Sequence, residues 1–119
     1  MTEDIHNPVS IEEKIRETVN RIARSAAECN RRYVAKNDAE EAFIKAYARA
    51  FLGHEGPQTE KRYAADLATE DERHAANVAE AAYRYADRLA KSLEAELMAY
   101  QSIAKSVGRM FNAAGVGQP

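Results

Sequence analysis

Two stretches of about 43 residues each, Ser10 to Leu52 and Glu70 to Ala113, contain no proline. All three prolines, Pro8, Pro57 and Pro119, fall outside them. A helix of that length would run about 65 Å at 1.5 Å per residue. Globular helices average about a dozen residues. A chain of 119 residues that commits this much of itself to two helices has little left to enclose a pocket. The pattern predicts an all-α protein: a long antiparallel helical hairpin with a short helix in the connection. Its apolar seam is expected to be buried against itself and against other copies, in an oligomeric helical bundle. The domain reading is an N-terminal arm over 1–9, one helical domain over 10–114 and a tail over 115–119.

Composition agrees with this. Apolar residues make up 45% and charged residues 30%, which excludes both a disordered chain and a membrane span. Ala, Glu, Arg and Lys are abundant, as helices prefer. No apolar run approaches the ~18 residues that cross a bilayer. The N-terminal MTEDIHNP lacks the core of a signal peptide, so the cytoplasm is the expected compartment. Cys29 is the only cysteine, which rules out an intramolecular disulfide.

In the first long stretch, Ile15, Val19, Ile22, Ala26, Cys29 and Tyr33 recur at alternating spacings of four and three, which is heptad spacing. In the same phase come Lys36 and Glu40, then Phe43, Tyr47 and Ala50. Ser10 with Glu13, Asp38 with Glu41 and Thr69 with Glu72 fit capping boxes, and the second leaves room for a break at Asn37-Asp38. Gly53 suits the left-handed residue that ends a helix. Thr59 is placed to cap a short helix containing Tyr63 and Leu67. In the second long stretch the large apolar positions are Val78, Ala82, Tyr85, Leu89, Leu93, Leu97, Tyr100, Ala104, Val107 and Phe111. Their period is near 3.67, which differs from the first stretch and favours a multi-helix bundle over a two-stranded coiled coil.

A net charge of −2 conceals a polarity. Arg21, Arg24, Arg31, Arg32 and Lys36 face only Glu28 in their own stretch, whereas acidic residues gather near the connection. A hairpin turning near residue 61 would set position i beside about 122−i, and so bring Arg84, Arg88 and Lys91 to the same half. These eight cations and Tyr83 form a candidate nucleic-acid surface: the cations would neutralise phosphates and Tyr83 would stack on a base. The competing reading is a solvated helix face with pairs such as Arg24–Glu28. Tyr33, Tyr85 and Tyr100 are expected in the seams. Overall acidity counts against a dedicated DNA-binding domain.

No phosphate loop, HExxH or CxxC occurs. Asp71 and His74 have the spacing of a bundle metal motif, but no second motif faces them, so neither a metal nor a cofactor is expected. No paired carboxylates suggest acid–base catalysis, and the chain is not expected to be an enzyme.

Phe51-Leu52 to Gly56, Lys61-Arg62 to Leu67-Ala68-Thr69, and Gln101-Ser102 to Lys105-Ser106 resemble small helical accessory proteins of tailed bacteriophages. The resemblance covers about 60% of the chain. It implies a homo-oligomer in the infected host's cytoplasm that assists DNA recombination or replication by binding single-stranded DNA or a recombinase. A second reading is a protein-interaction module, such as an inhibitor of a host defence or host enzyme. A third is a secreted hairpin of the Trp-x-Gly type. Phe51-Leu52-Gly53 and the Tyr83–Asp87 spacing resemble that family, although the tryptophan is missing.

Overall fold

The computed structural model describes residues 7–113, and the only regular elements among them are helices. α1 spans Pro8–Gly53, α2 spans Gln58–Ala68 and α3 spans Glu70–Ala113. Most of the N-terminal arm and the whole 115–119 tail lie outside the described residues. The chain divides into two units. One contains residues up to Ala27 and from Arg88, and the other contains Glu28–Asp87.

α1 starts two residues earlier than the Ser10–Glu13 pattern suggests. Asn7 Oδ1 accepts the Val9 N–H at 2.9 Å, and Pro8 sits in the first turn, where a missing N–H costs nothing. The helix then runs unbroken through Asn37-Asp38, so the second capping box is not used. Gly53 is the last helical residue and has no left-handed backbone. Gly56 takes that role instead, at φ 138°. A Cβ on Gly56 would also lie 2.9 Å from Glu60 Oε2, so no other residue fits there without strain. α2 is preceded by Pro57 without a side-chain cap, so Thr59 falls inside the helix rather than at its end. Thr69 does not cap α3 with its hydroxyl. It turns back and donates to the Ala65 carbonyl at 2.7 Å, satisfying the end of α2 where the hydroxyl is buried.

The buried and half-buried residues of α1 include Ile11, Ile15, Thr18, Ile22, Ser25, Cys29, Lys36, Ala39, Glu40, Phe43, Ala46, Tyr47 and Ala50. All the expected seam positions except Val19, Ala26 and Tyr33 are among them. Thr18 and Ser25 are enclosed where Val19 and Ala26 were expected. Val19 and Tyr33 are each 47% exposed. Thr18 can be buried because its hydroxyl donates to the Lys14 carbonyl at 2.7 Å, which leaves only its methyl to pack.

In α3 the buried line is Glu72, Ala76, Ala79, Tyr83, Ala86, Ala90, Leu93, Leu97, Tyr100, Ala104 and Val107. Its spacing alternates four and three throughout, so the period is that of a heptad and not 3.67. Both long helices therefore share one period. The expected seam residues Val78, Tyr85, Leu89 and Phe111 are exposed instead. Alanines occupy the seam in the first half of α3, which allows close backbone approach.

Within the 28–87 unit, Tyr33 meets Tyr83 with ring centroids 5.5 Å apart, and Arg73 lies 5.0 Å from the Phe43 ring. Contact positions therefore descend in α3 as they rise in α1, with i near 116−i rather than 122−i. α2 touches both long helices: Lys61 sits 5.7 Å from the Phe51 ring, and Asp66 pairs with Arg73 at 3.3 Å.

Candidate functional site

The nine residues of the expected nucleic-acid surface fall in both units. Arg21, Arg24, Arg88 and Lys91 belong to one, and Arg31, Arg32, Lys36, Tyr83 and Arg84 to the other.

In the first unit, Arg21 reaches across to α3 and pairs with Glu96 at 3.6 Å. Lys91 is also engaged. Arg24 and Arg88 make no hydrogen bond or ion pair among the described residues. Arg24 does not pair with Glu28 because that carboxylate is already occupied.

In the second unit, Glu28 is held by both Arg31 and Arg32, the latter at 2.7 Å. Their hydrogen bonds, that of Arg32 foremost, keep the Glu28 carboxyl below its ordinary value of 4.5. The clamp therefore persists to lower pH than an ordinary glutamate would allow. Arg84 pairs with Glu80 at 2.8 Å, one turn away. Most of the cations expected to meet phosphate are thus already matched by carboxylates on their own surface. Exposed pairs of this kind are worth little energetically, but they cancel local charge.

Tyr83 is not free to stack. It is half-buried edge-on against Tyr33, and the Lys36 ammonium lies 5.9 Å from its ring and 5.7 Å from that of Tyr33. Lys36 also pairs with Glu40 at 3.4 Å. It occupies a seam position, roofed by two aromatic faces that partly replace its hydration. Lys36→Leu is expected to raise the melting temperature, with a gain of about 1 kcal/mol, because an apolar residue there keeps the packing without desolvating a charge. Thermal unfolding followed by circular dichroism measures this, and a lower melting temperature would show that the ammonium's contacts outweigh its burial. The free aromatic is Tyr85, expected in the seam and found 68% exposed.

One open depression, about 470 Å³, is lined by Asp38, Glu41, Lys45, Arg49 and Glu72 among others. Lys45 pairs with Glu41 at 2.9 Å and holds that carboxyl below its usual value. Among the described residues, no three His, Cys, Asp or Glu side chains are grouped to hold a metal ion. No helix among them is long and apolar enough to cross a membrane.

What sequence reasoning missed is apolar display. Val78, Tyr85 and Leu89 on α3, Tyr63 and Leu67 on α2, and Ile44 and Leu52 on α1 are all exposed. The available signal was the alanine heptad Ala76, Ala79, Ala86 and Ala90, which claims the seam and pushes the larger residues outward.

The site thus defines a class, an all-α protein presenting apolar and self-paired charged helix faces. The chain matches no protein-family model, no curated protein and no solved structure.

Proposed function

We propose that the protein is a non-enzymatic accessory protein that works by protein contact: a long antiparallel helical hairpin with a short helix in the connection, assembled as a homo-oligomer. One observation carries this reading. Among the described residues, fourteen large apolar side chains are exposed, against six apolar residues that are buried. Where such side chains adjoin on one helix face, they form the kind of contiguous apolar patch that marks an interaction site. The resemblance to bacteriophage accessory proteins supports a role in the host cytoplasm, with a recombinase or a host enzyme as the class of further partner. Sedimentation equilibrium tests the reading. A concentration-dependent oligomer is expected, and a monomer at every concentration would remove its basis.

Direct binding of single-stranded DNA is a second reading, favoured by the unpaired Arg24 and Arg88. Here Glu28 acts as an internal competitor for phosphate. Glu28→Gln releases Arg31 and Arg32 and should tighten binding of a labelled oligonucleotide by about tenfold at low salt, with a steeper salt dependence. Fluorescence anisotropy gives the answer. Reversing Arg24, Arg31 and Arg32 to Glu should abolish the signal. No binding by the wild-type chain or by Glu28→Gln at low salt would leave protein contact as the sole reading.

A further inference from the structure

Asp71, Ala75, Val78, Ala82, Tyr85 and Leu89 follow one another along α3 at spacings of four and three, and so share one helix face. That face is not the seam. Val78 is 55% exposed, Tyr85 68% and Leu89 43%. Ala81 lies beside the line, and the alanines leave room for a second helix to approach closely. Resting on the oligomeric reading above, we propose that this face of α3 docks antiparallel, about a two-fold axis near Ala81, against the same face of a second copy.

Charge selects the occupant. Asp71 at one end of the stripe makes no ion pair among the described residues, and neither does Arg88, which flanks the other end. Antiparallel docking with position i opposite about 160−i sets Val78 against Ala82 and Ala75 against Tyr85. It also brings Asp71 of each copy beside Arg88 of the other. Two ion pairs then close the ends of one apolar core, each formed from groups unpaired in the single chain. A parallel arrangement would oppose like charges. The isologous pairing is therefore closed and self-complementary.

Three variants test the interface in the full chain. Tyr85→Glu should weaken self-association roughly 30-fold or more in sedimentation equilibrium, as expected for a central aromatic anchor. Val34→Glu, exposed on α1, should leave it unchanged. Asp71→Arg and Arg88→Asp should each weaken association, and the double variant should restore it. In a Cys29→Ala background, Ala81→Cys should cross-link to itself under mild oxidation. A wild-type oligomer that survives Tyr85→Glu, with no rescue and no cross-link, would overturn this interface while leaving the oligomeric reading intact. A monomeric wild type would overturn both. Circular dichroism of Tyr85→Glu separates lost assembly from lost folding, since this exposed site tolerates charge in a folded monomer.

Discussion

Leu93→Asp is expected to cost about 3 kcal/mol or more and to remove most of the cooperative helical signal near room temperature. Leu93 is 3% exposed and is the larger of the two buried apolar side chains in the second half of α3, the other being Val107. Losing a buried leucine side chain costs about 2–5 kcal/mol through lost transfer energy and the cavity left behind. Leaving a carboxylate there without a partner adds a desolvation penalty. The two terms together approach the lower end of the roughly 5–15 kcal/mol that a domain has in hand, so the variant should sit close to its midpoint without denaturant. Leu97 lies one turn on and is only half-buried, so Leu97→Asp should cost clearly less. The carboxyl introduced at position 93 would have its pKa raised by burial. The deficit relative to wild type should then shrink as pH falls towards 4 and grow as pH rises. Urea unfolding at both pH values measures it. Equal losses for Leu93→Asp and Leu97→Asp, or a deficit independent of pH, would show that the heptad line through Leu93 is misassigned.

The helices themselves were legible, because the absence of proline across each long stretch leaves few alternatives. The phase of the seam was legible only in part. Ile15, Ile22, Cys29, Lys36, Glu40, Phe43, Tyr47 and Ala50 were read correctly, because one heptad phase runs through them. Where a heptad offers two neighbours, hydropathy favoured Val19 over Thr18, yet the threonine is the buried one. Its hydroxyl is satisfied inside its own helix, a local compensation that no hydropathy scale records. In α3 the same bias selected Val78, Tyr85 and Leu89, whereas close packing called for Ala76, Ala79 and Ala86. One misplaced phase then reversed the roles of two tyrosines, holding Tyr83 and releasing Tyr85.

The expected site suffered for a related reason. Its cations are present, but neutralisation depends on geometry. Glu28 stands three and four residues before Arg31 and Arg32, a spacing visible in the sequence, and it serves both. Glu96 lies 75 residues from Arg21 and becomes its partner only through tertiary contact. Counting charges along a segment cannot distinguish a cation that meets solvent from one already matched.

Ala65→Leu is expected to destabilise the protein by about 2–3 kcal/mol, although it adds apolar surface and a good helix former. Ala65 is 0% exposed, and it lies within the short α2. Its carbonyl takes the Thr69 hydroxyl, so backbone and side chain are both enclosed. An isobutyl group there has no free volume. Overpacking a full site costs about 1–3 kcal/mol, and the upper end applies when the neighbour is backbone and cannot rotate aside. The cheapest relief is to lift α2 away, since eleven residues held by Lys61, Ala65 and the Asp66–Arg73 pair have few contacts to lose. Hydrogen exchange over 58–68 should therefore accelerate more than exchange in α1 or α3. Ala68→Leu, at an exposed position of the same helix, should be near neutral in both measurements. Unchanged stability in Ala65→Leu would mean that α2 is loosely seated already. The distinction bears on function because α2 carries Tyr63 and Leu67 outward, 65% and 70% exposed. Held by Ala65, they form a fixed apolar face available to a protein partner. Released, they become a mobile segment that must pay ordering entropy before it binds.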